Sequence, residues 1–441
     1  MLLKKLLSFV KKHYNQIKKG GFNVLLKKLK SLILFFFQIP IYIFSIPTII
    51  IIRIISKIYL VRFCQLNSNR IGHFAKETEL IYLENKEKIN VPDQKYLDLF
   101  FFNKYISNHQ LAKMWKRNLC IFPRWVIFPL KKTNDFLNIF ISDNEKHQIV
   151  KSNITMTKDR NNLLEKSRPS ISFNDEEDKK GKQLLSQLGI TENDKFICLG
   201  VRDSAYLAAR SENKDFSYHD YRDGKLEAFL PSLEELTKRG YFVLRMGAKV
   251  KDKLNTNNPK ILDYANMEIR SDFLDIYLAS KCKFCISTDY GLDEVMVIFR
   301  KPIAYIGVVP VGTMETHNKN TIIIFKEHID IQTKKKLSIS EIFDRDLSVA
   351  FKSELFKNKN VELVHNSAED IKQTVIEMDE RLNGTFKDTE EEISMQNKFW
   401  ENFKKNLQKE DFKRYEAIEG KQHGILNSRI SKEFLKKIKV N

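Results

Sequence analysis

Between residues 191 and 307 the sequence alternates short, wholly apolar runs with segments of helical period. Residues 196–201 read as a strand, 226–239 as a helix stopped by Gly240, 241–246 as a strand and 261–263 as a brief third one. A helix opened by Ser271 follows over 271–280, then a strand over 282–287, a helix over 292–299, and a strand over 303–307 after Pro302. Strands that are apolar throughout must be covered on both faces, and strands separated by helices pair in parallel. The expected fold is α/β and doubly wound.

Open parallel sheets bind ligands outside the carboxyl ends of their strands. Here those ends carry Arg202 and Asp203, then Arg245, Met246 and Gly247, then Asp263 and Tyr264, and finally Ser287, Thr288, Gly291 and Leu292. Arginine forks bind phosphate bidentately. The amides opening the helix at Leu292 favour negative charge, and Gly291 permits close approach of the backbone. The pattern predicts an anion site, with Glu294 one turn into the helix placed to take a ribose or sugar hydroxyl. The loop holding Tyr221 and Arg222 follows the first strand and overhangs the same edge, as a further phosphate or sugar contact or as a solvated charged loop. Taken singly, each arginine also fits a capping role or a pair with a neighbouring aspartate.

Absent motifs narrow the chemistry. The sequence has no G-x-G-x-x-G and no G-x-x-x-x-G-K-[ST]. Its D-x-D, Asp344 to Asp346, falls in a helical stretch and reads as a solvated face, so no metal and no cofactor is expected. Cys282 and Cys285 form a C-x-x-C inside a strand pattern, where i and i+3 point to opposite faces, and read as buried small hydrophobes. Five scattered cysteines build no disulfide framework and suit a reducing compartment.

Charge is distributed unevenly. Residues 1–62 hold 12 basic and no acidic side chains, leaving 63 basic against 56 acidic residues for everything after. A nucleic-acid binder spreads basic charge over a folded face, whereas this charge leads into 21 uncharged residues, 32–52. Residues 1–30 carry nine lysines at helical spacing, a basic amphipathic pattern suited to a membrane surface. The apolar run is long enough to cross a bilayer, but Pro40 and Pro47 disfavour a straight helix. Arg53, Lys57 and Arg62 beyond the run match the lysines before it, and basic flanks on both sides favour a hairpin returning to the cytoplasmic face over a single crossing. Length and pattern divide the chain into this anchor (1–62), a first lobe (63–190) ending in a polar linker at 167–181, a second lobe (191–385) and a helical tail (386–441).

With 42% hydrophobic residues and only 15 Gly and 10 Pro, disordered and low-complexity classes are excluded. The segments FICLGVRDSAY, HDYRDGKLEAF, RGYFVLRMGA and GLDEVMVIFRKP, with Asn69 to His73 (NRIGH) earlier, resemble a family of bacterial surface-polysaccharide glycosyltransferases. The resemblance covers roughly residues 63–383. It implies the two-lobed GT-B architecture, two Rossmann-like lobes, and glycosyl transfer as the reaction class; together with an anion site and an anchor at the cytoplasmic face of the inner membrane, this fits transfer of a sugar from a nucleotide-sugar donor to a lipid-linked glycan acceptor. Asp293, Glu294 and Val295 depart from the family's shorter polar stretch and proline.

Such an enzyme must neutralise a departing nucleotide phosphate, the role expected of Arg202, Arg245 and the 287–291 loop, and must activate an acceptor hydroxyl. His73, after Gly72, is the expected base; a histidine packed at a strand-to-helix turn, or one holding donor phosphate, fits the same sequence. A nucleotide-sugar epimerase of the same fold and a non-catalytic, membrane-tethered sugar-binding protein are the alternatives. The first needs no anchor, and the second needs no strand-end arginines.

Overall fold

The computed structural model describes residues 2–89, 91–138, 146–149, 158–205, 217–408 and 423–438; in the first helix, side chains are described from Ile39 onward and at scattered positions before Ser31. The segment 206–216, where the sequence resemblance includes Tyr206, lies outside the described residues, as do most of the N-terminal lysine side chains and those of 31–38 in the apolar run. The chain divides into two compact units.

The first unit comprises Met1–Gln65, Pro92–Phe101 and Cys120–Val150. Helix α1 (Leu2–Ile55) is broken at Gly21, whose φ of 59° and ψ of −155° lie outside helical values. Pro40 and Pro47 are accommodated within it. Strand β1 (Leu60–Leu66) pairs with β2 (Tyr96–Phe102), and parallel bridges at Phe63–Gln148 and Phe100–Ile121 extend the sheet on both sides. Buried Ile49, Val61, Phe63, Leu99, Phe101 and Ile127 form one cluster, bringing α1 and α4 (Arg124–Leu137) onto the sheet. Arg62, expected as a basic flank, is instead 4% exposed and binds Asp98 bidentately at 2.7 and 2.8 Å. Arg53 is likewise committed, donating to Asn134. Among the described residues, no helix is long and apolar enough to cross a membrane.

The second unit comprises Leu66–Val91, Phe102–Leu119 and Lys151–Asn441, so the boundary expected at 190/191 does not separate the compact units. The reason lies in α2 (Ile71–Lys86), α3 (His109–Lys116) and the short α5 (Leu163–Lys166): their buried faces pack with the residues that follow. The polar 167–181 stretch is a linker only as far as Asn174, which caps α6 (Asp175–Gln187) reciprocally with Glu177.

The remaining elements are β3 (Lys195–Gly200), α7 (Leu230–Lys238), β4 (Tyr241–Arg245), β5 (Ile261–Leu262), α8 (Asp272–Lys281), β6 (Cys285–Ser287), α9 (Asp293–Ile298), β7 (Ile303–Val308), β8 (Ile322–Phe325), β9 (Glu327–Asp330), α10 (Ile339–Asp344), α11 (Ser353–Asn358), β10 (Val361–Val364), α12 (Ala368–Leu382), α13 (Glu390–Leu407), β11 (Arg429–Ile430) and α14 (Lys432–Lys437). Seven strands form one sheet in the order β11-β8-β7-β6-β3-β4-β5, and every recorded pairing in it is parallel. Residues 196–199 and 303–308 are buried on both faces, as a sheet covered on two sides requires. Each such Ile or Leu contributes about 1.5–3 kcal/mol by burial.

Two details differ from expectation. Cys282 caps α8 and does not enter β6, although it is buried, as is Cys285. The tail beyond 386 supplies the edge strand β11 and packs Phe399 and Phe403 wholly inside the unit, so it is no appendage. Arg345, between the two aspartates of the D-x-D, pairs with Asp330 at 2.7 Å.

Candidate functional site

From β3 the chain runs to β4 and β5 on one side, then returns to place β6, β7 and β8 on the other. The order reverses between β3 and β6, and the crevice at such a switch point is where open α/β sheets hold ligands. The two strand ends are stitched together: Thr288 N donates to Gly200 O at 3.0 Å, and Arg202 N to Thr288 Oγ1 at 2.7 Å. A cavity of about 430 Å3 opens there. Its size suits a small-molecule ligand.

Nine of the residues expected at the site line this cavity: His73, Arg202, Asp203, Arg222, Met246, Gly247, Gly291, Leu292 and Glu294. Arg222 donates to the Asp289 carboxylate at 3.0 Å and to its carbonyl at 2.6 Å. Arg202 lies 3.3 Å from Asp223. Burial, and next the neighbouring Arg222 charge, push the Arg202 guanidinium below its ordinary pKa. Burial and the charges of Arg202, Arg222 and Arg70 pull His219 down to about 4. Burial is the larger cause of that shift, and the three guanidinium groups add to it.

Six expected residues do other work. Arg245 is 1% exposed; its Nη1 donates to the carbonyl of Asp252 and lies 3.3 Å from Asp263. Being the last residue of β4, it turns its side chain into protein where Met246 faces the cavity. Asp263 accepts from Leu254 N and Asn266 Nδ2, fixing the loop around Arg245. Tyr264 is buried and donates to Asp275. Tyr221 packs against Phe356 at 5.6 Å. Ser287 donates to Asp293 at 2.6 Å and accepts from Asp289 N, while Thr288 bonds Arg202 N. Asp293 also accepts from Tyr290 N, so α9, only six residues long, closes its own first turn.

His73 sits in the first turn of α2, with 38% of its side chain exposed. Its Nδ1 is 2.5 Å from Glu77 Oε1, one helical turn on, and Glu77 Oε2 accepts from Asn67 Nδ2 at 2.7 Å. With Nδ1–H donating to that buried carboxylate, the neutral ring presents Nε2 as an acceptor. The α2 turn reaches the β6–α9 loop because both contact points are glycines. A Cβ on Gly72 would stand 3.0 Å from Gly291 O and 3.1 Å from its Cα.

Beneath Glu294 lies a charge cluster that sequence reasoning missed. Fully buried Lys76 is 3.2 Å from Glu294 and 2.7 Å from Glu315, and Glu315 also receives Lys158 at 2.5 Å. Burial pushes Glu294 up to about 7, against the pull of Lys76. Burial acts the same way on Glu315, but Lys158 and Lys76 outweigh it and hold that carboxyl well below the usual range. Asp275, also on the cavity, is pushed up to about 6 by burial despite Arg270 at 2.7 Å.

No family model matches the sequence, and no curated protein is similar to it. Among solved structures, the chain is similar to ADP-heptose lipopolysaccharide heptosyltransferase II of E. coli at 12% identity and a TM-score of 0.33, over 56% of this chain and 84% of that one. It is similar to a family 9 glycosyl transferase from Veillonella parvula DSM 2008 at 13% identity and a TM-score of 0.33, over 57% and 81%. A proposed UDP-N-acetylglucosamine 2-epimerase from Listeria monocytogenes matches at 10% identity and a TM-score of 0.27, over 75% and 98%.

Proposed function

We propose that the protein is a glycosyltransferase that moves a sugar from a nucleotide-sugar donor to a glycan acceptor. The observation that carries this reading is the convergence, in one cavity at the β3/β6 switch point, of Arg202 and Arg222 with the His73–Glu77 pair. The donor diphosphate takes the arginine-bearing wall beside Gly291 and Leu292. The acceptor hydroxyl meets His73 Nε2.

Attack by that oxygen on the anomeric carbon forms the new glycosidic bond. The carbon–oxygen bond to phosphate breaks with its electron pair, and the hydroxyl proton passes to Nε2. Glu77 stabilises the resulting imidazolium, while Arg202 and Arg222 offset the charge arriving on the nucleotide. With two guanidinium groups for the leaving phosphate, the reading requires no metal. The basic, apolar N-terminus supports a membrane setting on the cytoplasmic side and hence a lipid-linked acceptor, as in surface-polysaccharide synthesis.

Calorimetric titration of nucleoside mono- and diphosphates into the detergent-solubilised full chain tests the donor site. Arg202→Ala should weaken diphosphate binding by about 1.5–3 kcal/mol if the guanidinium makes one charged hydrogen bond. Absence of binding by every nucleotide, with the fold intact, overturns the reading. Turnover of a nucleotide sugar to its epimer without any acceptor selects the epimerase instead.

A further inference from the structure

The described C-terminal half of α1 has two chemically different sides. One is docked on α4 within the first unit. Ile49 is fully buried in the cluster with Ile127, and Ser45 Oγ lies 2.5 Å from Thr133 Oγ1. Arg53 donates to Asn134 Oδ1 at 2.9 Å, to its carbonyl at 3.1 Å, and to Asn138. Positions 45, 49 and 53 fall on a single stripe of the helix. The opposite stripe carries Ile43, Phe44, Ile50, Ile51 and Ile54, with Ile58 just past the helix end, all between 46% and 79% exposed. Pro40 and Pro47 complete it, and no charged side chain interrupts it.

We infer that this stripe lies in the plane of an anionic lipid surface, with the helix half-immersed in the interface and neither crossing the bilayer nor folding back through it. Six large apolar side chains exposed in one row exceed what isolated surface hydrophobes explain. The nine lysines of 1–30, in a stretch without acidic residues, match anionic headgroups, and Lys57 stands exposed at the end of the row. A helix that crosses alone is surrounded by lipid, whereas this one is covered on one side by α4, whose Asn134 and Asn138 bind Arg53. Crossing would carry those groups, and Lys131, Lys132 and Asp135 of α4, toward hydrocarbon, where charged side chains are strongly disfavoured. An in-plane helix leaves them on the aqueous side. The inference rests on the membrane setting of the proposed function and not on its sugar chemistry.

The test uses the full chain with the exposed Cys120 replaced by Ser, an environment-sensitive fluorophore at Ile51→Cys or Ile54→Cys, and a control label at Lys132→Cys on α4. Vesicles of phosphatidylcholine with and without phosphatidylglycerol are added, some carrying bromine near the headgroup and others at the chain end. Labels at 51 and 54 should shift to the blue only with phosphatidylglycerol, with quenching strongest from the shallow bromine, while the label at 132 stays in water. The double variant Ile51→Glu/Ile54→Glu, shown folded by its circular dichroism, should lose roughly tenfold or more in vesicle partitioning. Strongest quenching from the chain-end bromine overturns the in-plane placement. A lipid-independent shift that grows with protein concentration assigns the stripe to a second copy and overturns the lipid. Unchanged partitioning of the double variant overturns the surface itself. Nucleotide binding measured on the same preparations separates any of these failures from failure of the proposed chemistry.

Discussion

Lys76 and Glu315 form an ion pair 239 residues apart in sequence, Nζ to Oε2 at 2.7 Å, in which neither side chain is more than 8% exposed. Two charges taken out of water offset each other only while both are present; removing one leaves the other buried and unpaired. Glu294 and Lys158 complete the set, so two ammonium groups face two carboxyls at the cavity wall. This cluster ties α2 to the residues after β7 and holds Glu294 at the cavity wall.

Lys76→Met should therefore destabilise the protein by about 3–5 kcal/mol, the usual cost of breaking a buried pair. The measurement is a urea titration in which the midpoint falls at unchanged slope. A loss below about 1 kcal/mol would mean that the carboxyls find water or take up protons at little cost, and the cluster would not be the tie described.

Arg245 gives the opposite contrast to Arg202. Both end strands of the same sheet, but Arg245 is spent on the Asp252 carbonyl and on Asp263. Arg245→Ala should lower stability by about 1.5–3 kcal/mol through its lost charged hydrogen bonds. Nucleotide affinity of the folded variant should stay within about twofold of the parent. Equal losses of affinity in Arg202→Ala and Arg245→Ala, with no loss of stability in the second, would return Arg245 to the ligand.

The contrast shows where the sequence is legible. The strand–helix alternation of 191–307 reads directly because a sheet covered on both faces demands unbroken apolar runs, and the chain order places β3 and β6 at the switch point. Which way a strand-end side chain turns is not readable, since Arg245 and Met246 are adjacent and face opposite sides. Helix α2 was opaque for a different reason. Nothing in the sequence marks Lys76, Glu77, Glu79 and Glu84 as buried, yet all are; Lys76 and Glu79 find their partners far along the chain, in Glu315 and in Arg300, 2.6 Å from Glu79. Hydrophobic periodicity carries no trace of partners hundreds of residues away. Edge strand β11 is two residues long, too short for any period to announce it.

Glu294, pushed up to about 7 by burial, changes charge near neutral pH beside the expected phosphates. The sign follows from its being an acid: below about pH 7 it is neutral and does not repel an anion, and above it the carboxylate does. Diphosphate affinity of the parent should weaken from about pH 6 to about pH 8 more steeply than that of Glu294→Gln, titrated in parallel so that the ligand's own ionisation cancels. Superimposable pH profiles would place Glu294 away from the bound phosphates.

The least direct expectation concerns proton transfer. His73 Nδ1 is held by Glu77, itself fixed by Asn67, so the ring is oriented before any substrate arrives and no described residue bonds to Nε2. A base so placed acts in the transition state and adds little to ground-state binding. His73→Ala should lower kcat by about 10²- to 10⁴-fold while donor affinity stays near that of the parent. Glu77→Gln keeps a similar shape but removes the charge that stabilises the imidazolium, so it should lower kcat by a smaller factor than His73→Ala at unchanged donor affinity. Glu77→Asp should recover part of the loss. Rates measured at saturating and limiting donor separate the outcomes. If affinity and kcat fall together in His73→Ala, the imidazole holds donor phosphate, and if activity is fully retained, both roles are excluded.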